Sequence, residues 1–327
     1  MISRQYLAGF IDGEGYLALG RIPRRNWSVE YPVRLVVYNT NGGILEEIRQ
    51  TWGGTMSFSR SPNPRWKPQY ALIWTNAAAA RILTEVAPFL RLKSEQAAVL
   101  LDYHSRIRRG QRVRDRRGRL LSLPGKEVRF REALYQRLKC LNATGAKSEV
   151  ARNHLPASRG GRRGADGPVS SEYLAGFVDG EGSLMIAKWK GRESWNPQYR
   201  ARISVSNTDR RVLDDIHAAF GGIMADQPPA RTEWRHAYQL IWTGGMIAGL
   251  LSSVAPHLRL KQPQAAVMRE FIRHQERTRQ GRRGLNGRFF APLPAEVIAH
   301  REALYQRMRG LNARGSPGLI WGANLNP

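Results

Sequence analysis

The sequence predicts an α+β protein built from two pseudosymmetric copies of one domain, and three observations carry that prediction. The decapeptide YLAGFIDGEG at Tyr6–Gly15 returns as YLAGFVDGEG at Tyr173–Gly182, differing only at Ile11/Val178. Matched residues keep their spacing along the chain, the offset moving only from 167 (Tyr6 to Tyr173) to 170 (Glu132 to Glu302). Within each copy the apolar pattern alternates between the helical and the strand period in the same order. Solenoid repeats recur every ~20–50 residues, so a period this long marks a duplicated domain.

The elements follow in chain order. The decapeptide reads as a helix with Leu7, Phe10 and Ile11 on one face, and its Asp-Gly-Glu-Gly ending delivers an acidic side chain at the helix end. Tyr16–Ile22 and Val33–Asn39 read as strands; in the second, Val33, Leu35 and Val37 alternate against Arg34 and Val36. Ile44–Trp52 reads as a helix with Leu45, Ile48 and Trp52 apolar, stopped by Gly53-Gly54. Met56–Arg60 and Gln69–Thr75 read as a hairpin with a Pro-rich tip, SPNPRWKP, and Ala77–Leu90, Ser94–Ile107 and Lys126–Leu141 as helices.

The second copy repeats this order. Phe220–Met224 answers Trp52–Met56, and LIWT recurs at Leu72–Thr75 and Leu240–Thr243. VAPHLRLKQPQAAVM (Val254–Met268) answers VAPFLRLKSEQAAVL (Val86–Leu100), and REALYQRMRGLNA (Arg301–Ala313) answers REALYQRLKCLNA (Arg131–Ala143). The expected organisation is a domain over 1–143, a linker over 144–169, a second domain over 170–313 and a tail over 314–327. The RGGRRG run in the linker reads equally as a phosphate contact and as a plain tether.

Composition bounds the function. A chain of 327 residues with 42% hydrophobic residues and nine Trp supports two cores and argues against disorder. Lys+Arg total 52 against 26 Asp+Glu, a formal net charge of +26, which points to a polyanion, nucleic acid ahead of an anionic membrane. No apolar run approaches the ~18–20 residues of a membrane span, and the residues before the first motif leave no space for a signal or transit peptide. Cys140, the sole cysteine, excludes an internal disulfide framework and a cysteine zinc site, and fits a reducing intracellular compartment.

Gly9 and Gly13, like Gly176 and Gly180, lie four apart on one helical face, where small residues let two motif helices approach closely; independent glycine-rich turns are the alternative. If the helices pack, Glu14 and Glu181 emerge side by side, and two carboxylates with neighbouring backbone carbonyls form a hard-oxygen site suited to Mg²⁺ beside a phosphodiester. Asp12 and Asp179, two residues earlier, point elsewhere and read as structural hydrogen-bonding groups near the helix end.

These motifs and matched blocks, which cover nearly all of both halves, resemble the LAGLIDADG homing endonucleases in their single-chain, two-repeat form. The resemblance implies two αββαββα domains, each with a four-stranded antiparallel sheet forming a DNA-binding saddle, and motif helices packed at the domain interface. It implies a monomeric, site-specific endonuclease that hydrolyses both strands of a long, partly asymmetric double-stranded DNA target and leaves short 3′ overhangs. The family's metal-binding acid falls on Glu14 and Glu181, with Gly13 and Gly180 beside them, Mg²⁺ as cofactor, and Mn²⁺ or Ca²⁺ substituting for binding.

The family's basic residue near the scissile phosphate maps to Lys93 and Lys261, the last residue of each LRLK; a solvated lysine is the alternative for either alone. Its water-orienting polar residue maps to Asn39 and Asn207, although an Asn-Thr before a helix is equally an N-cap or turn. Strand residues expected in the major groove are Arg34, Ser57, Ser59 and Gln69 in the first copy, with Arg65 and Lys67 at the hairpin tip. In the second copy they are Arg200, Arg202, Ser204, Gln227, Arg235 and Gln239. The basic loops 108–119 and 277–288 are expected to grip the DNA backbone.

The same fold also serves group I intron maturases, which makes intron RNA an alternative partner and a silent DNA-binding regulator a third reading. The chain begins with neither Cys nor Ser and does not end in His-Asn, so a free-standing, intron-encoded enzyme is expected rather than an intein. The expected setting is a bacterial cytoplasm or nucleoid, or an organelle matrix.

Overall fold

The computed structural model describes residues 1–24, 27–60, 63, 67–109, 123–143, 165, 167–189, 197–229, 236–279 and 293–313. The hairpin-tip candidates Arg65 and Arg235, nearly all of both basic loops, most of the linker and the tail lie outside them. The chain divides into two compact units, whose main bodies are Met1–Ser61 with Pro68–Gly167 and Pro168–Gln227 with Ala237–Pro327.

The first unit opens with helix α1 (Arg4–Glu14), whose N-cap Ser3 accepts a hydrogen bond from the Tyr6 amide at 3.1 Å. The chain turns directly from α1 into strand β1 (Gly15–Leu19). A Cβ on Gly15 would lie 2.5 Å from the Ile11 carbonyl oxygen, so only glycine makes that turn. There follow a short ribbon, β2 (Ile22–Arg24) and β3 (Trp27–Glu30), then β4 (Val33–Asn39), α2 (Gly42–Trp52), β5 (Thr55–Ser59) and β6 (Gln69–Thr75). Helix α3 (Asn76–Val86), a 3-10 turn at Ala87–Phe89, α4 (Ser94–Arg109) and α5 (Gly125–Leu141) complete it.

The second unit runs α6 (Ser171–Glu181), β7 (Gly182–Trp189), β8 (Gln198–Asn207), α7 (Arg210–Phe220), β9 (Ile223–Gln227), β10 (Ala237–Thr243), α8 (Met246–Val254), α9 (Gln262–Arg279) and α10 (Ala295–Asn312).

Each unit holds one four-stranded antiparallel sheet, in the order β1-β4-β6-β5 and β7-β8-β10-β9. One face of each is apolar and carries the helices: Leu17, Val33, Leu35, Val37, Leu72 and Trp74 are buried in the first, Leu184, Ala201, Ile203, Val205, Leu240 and Trp242 in the second. The other face bears Tyr16, Arg34, Tyr38, Ser57, Ser59 and Gln69 in the first sheet, as strand alternation requires. The Gly-Gly stop after α2 works through backbone geometry: Gly53 and Gly54 have φ of 70° and 109°, and a Cβ on Gly54 would lie 2.8 Å from Leu72. That close turn brings the end of α2 onto the sheet, where the buried Trp74 indole donates to the Trp52 carbonyl at 3.3 Å; Trp242 repeats the bond to Phe220 at 3.1 Å.

The expected strand Tyr16–Ile22 is two strands in the structure. β1 pairs with β4 only as far as Leu19↔Val33, whereas β7 stays paired with β8 as far as Trp189↔Gln198. Where the second unit sets Ala187 opposite Arg200, the first sets Gly20 against Pro32, and Pro32 has no N–H to return for the bond it accepts from Gly20. The ladder stops there and the chain leaves the sheet as the β2–β3 ribbon.

A second polar anchor, unforeseen from the sequence, ties the last described helix of each unit to its first strands. The Tyr31 hydroxyl donates to Glu132 on α5, which also accepts from Arg21. Tyr199 donates to Glu302 on α10, joined by Lys188 at 2.8 Å and Gln306 at 2.7 Å. Burial beside a carboxylate pushes the Tyr31 hydroxyl up to about 12 and Tyr199 upward as well. The hydrogen bonds from Lys188, Tyr199 and Gln306 hold Glu302 down at about 2, from an ordinary 4.5. A carboxyl depressed on folding contributes stability that is complete above its unfolded value and is lost as pH falls from about 4.5 toward 2. Glu302→Gln should therefore lower neutral-pH stability by about 1 kcal/mol, a value reduced by the site's partial exposure. It should also flatten this acid limb; urea midpoints across pH 7 to pH 3 measure both, and an unchanged pH profile would refute the assignment.

Candidate metal centre and nucleic-acid interface

Glu14 and Glu181 are the last residues of α1 and α6, where the Gly15 and Gly182 amides donate to the Ile11 and Val178 carbonyls and the carbonyls beyond them have run out of helix. Asp12 and Asp179, at 2% and 0% exposure, fix the surroundings. Asp12 Oδ2 accepts from the amides of Arg91 and Leu92 at 2.7 and 3.2 Å, and Oδ1 from the Lys93 amide at 3.0 Å. Asp179 does the same with Arg259, Leu260 and Lys261 at 2.7, 3.0 and 2.9 Å. These amides form the turns that lead into α4 and α9, so a carboxylate from the motif helix satisfies the donors of the turn that starts the next helix.

The lysines close the exchange. Lys93 Nζ donates to the Ile11 carbonyl at 2.9 Å and to that of Asp12, at the C-terminal end of α1. Lys261 Nζ donates to the carbonyls of Val178 and Asp179 at 2.9 and 2.5 Å. In each unit the motif helix thus caps the LRLK turn with its Asp, and the turn caps the motif helix with its Lys. The expectation that Asp12 and Asp179 bond near the helix end is met by partners about eighty residues away in sequence. The only sequence signal for this pairing was that both segments recur together.

Asn39 is 8% exposed and does two things. Its Oδ1 accepts from the Asn41 amide at 2.8 Å, forming the turn that leads into α2, and its Nδ2 donates to Glu14 Oε1 at 3.3 Å. Asn207 makes the same turn with Asp209, also at 2.8 Å. The N-caps themselves are Asn41 and Asp209, two residues further on.

Among the described residues no group of three or more His, Cys, Asp or Glu forms a closed metal cage. One carboxylate at a helix end rich in carbonyl oxygens is instead a hard, open donor set. Such a set fits a divalent ion that keeps part of its water and completes its shell with phosphate oxygens, the habit of Mg²⁺.

The outward sheet faces carry the other candidates. In the first sheet Gln69 pairs with Ser59 and Ser57 with Ala71, and Arg34 sits opposite Thr75; all four candidates are exposed on one face, and Lys67, two residues before β6, is exposed too. Tyr16 and Tyr38, exposed on the same face, were not singled out from the sequence, though the strand alternation places them there. In the second unit Arg200 is exposed with its guanidinium 5.2 Å from the Trp189 ring centroid. Arg202, Gln239 and Gln227 form a connected chain: Arg202 Nη2 donates to Gln239 Oε1 at 2.5 Å, and Gln227 Nε2 donates to the same oxygen at 3.0 Å. Ser204 stands on the same outward face, as the strand alternation expects, at 4% exposure between Arg202 and Ser206.

Comparison with known proteins places this geometry. A family model described as LAGLIDADG endonuclease matches residues 174–237. The homing endonuclease I-GzeII, solved in complex with its DNA target, has a TM-score of 0.64 at 14% identity, over 96% of this chain and 100% of that one. I-SmaMI bound to an uncleaved DNA target in the presence of calcium ions scores 0.60 at 15% identity, over 94% and 99%. I-SmaMI bound to cleaved DNA scores 0.62 at 15% identity, over 94% and 97%. At such identities the likeness is one of fold, and it runs nearly the full length of each chain. A search of curated proteins finds no match.

Proposed function

The chain has the LAGLIDADG homing endonuclease fold in its single-chain, two-repeat form, and from that premise we infer that it is a site-specific, metal-dependent double-strand DNA endonuclease. The observation that carries the reading is the cross-capped helix end that closes on a glutamate, built twice in one strongly basic chain. Glu14 and Glu181, with carbonyls of Gly13 and Gly180, are the proposed ligands of Mg²⁺. A divalent cation there would supply Lewis-acid stabilisation of charge developing on a phosphodiester.

The chain's own residues do the rest. Asn39 donates to Glu14 and so holds one carboxylate oxygen in place. A helix C-terminus ending in a glutamate repels phosphate, because its carbonyl dipoles and the carboxylate carry the same sign. Lys93 and Lys261, seated on those carbonyls, offset that field and are the proposed electrostatic partners of the phosphate. Arg34, Ser57, Ser59, Lys67 and Gln69 on one sheet and Arg200, Arg202, Gln227 and Gln239 on the other are the proposed DNA-facing set, with Arg65 and Arg235 beside them in sequence. Because the two faces differ, the target is expected to be an imperfect palindrome.

A cleavage selection on randomised duplex DNA with Mg²⁺ tests this directly. Mg²⁺-dependent cutting of both strands at one selected sequence is expected; binding that leaves both strands whole would make the chain a silent regulator instead. Affinity should also fall at least about 10³-fold between roughly 50 and 200 mM salt if six or more phosphates are neutralised. A flat response in a filter-binding titration would remove DNA as the partner.

A further inference from the structure

The second sheet holds an arginine in a posture that the first sheet does not reproduce. Arg202 pairs with Thr243 on the neighbouring strand, while Gln239 pairs with Ser206. A bond from Arg202 to Gln239 therefore runs along the sheet, across the Ser204–Ile241 pair, and lays the arginine stem flat. Flattening buries Arg202 Nε without a hydrogen-bond partner.

Gln239 is saturated at its acceptor. Oε1 takes Arg202 Nη2 at 2.5 Å and Gln227 Nε2 at 3.0 Å, which occupies both lone pairs, while Nε2 donates to Ser206 Oγ at 3.1 Å. Arginine has only donors, so it dictates which end of the Gln239 amide faces it, and that choice fixes the direction of the bonds to Gln227 and Ser206. Reading adenine takes the glutamine oxygen and nitrogen together, and this oxygen is already engaged. Arg202 retains both hydrogens of Nη1 and one of Nη2 for donation to the O6 and N7 acceptors of guanine. The equivalent of Gln239 in the first unit is Ala71, opposite Tyr38, and it offers no acceptor to the exposed Arg34.

We propose that Arg202 reads a guanine in the half-site bound by the second sheet, and that Gln239 is a positioning residue that presents Arg202 rather than a reader of bases. This rests on the DNA-binding reading above. Holding the guanidinium removes the rotamer freedom that a long side chain otherwise loses on binding, so the second sheet discriminates at this position more sharply than Arg34 does at its counterpart.

The test is a binding selection on randomised duplex DNA with wild-type protein, Arg202→Ala, Gln239→Ala and Gln239→Glu. Wild type should select guanine at a position where Arg202→Ala loses the preference by about tenfold. Gln239→Ala should weaken the preference at that same position by several-fold and leave other positions unchanged. Gln239→Glu keeps an acceptor for Arg202 and should keep the guanine, with lower affinity overall from the added charge near phosphate. The proposal is overturned if Gln239→Ala changes a different position from Arg202→Ala, because Gln239 would then be a reader, or if it leaves the guanine preference intact. Selection of no sequence by the wild type would defeat the nuclease reading itself, which separates the two failures.

Discussion

Glu14→Gln is expected to lower the rate of Mg²⁺-dependent double-strand cleavage by at least about 10³-fold, corresponding to about 4 kcal/mol of lost charge stabilisation. The substitution removes one negative charge and a hard-oxygen ligand while keeping size and shape. The Asn39 amide at 3.3 Å still finds a carbonyl oxygen, so the fold and DNA affinity should persist. Glu181→Gln should behave alike. Single-turnover cleavage on the selected target, beside a binding isotherm in Ca²⁺, separates the two effects. Full cleavage by the double variant would refute the assignment of both glutamates.

Asp12→Ala is expected to act on stability, in contrast to Glu14→Gln. Removing the carboxylate strips three backbone amides, those of residues 91–93, of their acceptor in a site of 2% exposure. Each buried, unsatisfied donor costs about 1–3 kcal/mol, and partial entry of water brings the sum to about 3–4 kcal/mol. Urea unfolding should show the midpoint shift without a large change in slope. Asp179→Ala should shift it similarly, because its three bonds are matched almost bond for bond. A variant as stable as wild type would mean that the LRLK turn is held by other contacts.

The sequence made the repeat, the order of elements and the alternation on β4 and β8 readable, because each depends on local periodicity. Val33, Leu35 and Val37 face in and Arg34 faces out, as the strand period demands. What it hid depends on register and on partners far along the chain. The β2–β3 ribbon is made of three- and four-residue strands, too short to show a period, and it exists because Pro32 ends a ladder. Gln239 was visible as a polar residue on a DNA-facing strand, whereas its bonds to Arg202 and Gln227 depend on side chains from two other positions in the sheet. Ser204 stands on the expected face but is buried there, because alternation gives a side chain's face and not its exposure. The Tyr31–Glu132 and Tyr199–Glu302 bonds join residues about a hundred positions apart.

The exchange of caps between the motif helix and the LRLK turn is written almost wholly in main-chain atoms. Asp12 grasps the amides of residues 91–93, and Lys93 grasps the carbonyls of residues 11 and 12. Only the two charged side chains need to be what they are. The bystanders lend their peptide groups whatever side chains they carry, and the two copies show this: Ile11 and Val178, the sole difference between the decapeptides, offer the same carbonyl at the same 2.9 Å. Side chains around the centre are therefore at liberty to diverge with the packing behind them while the glutamate stays where it is.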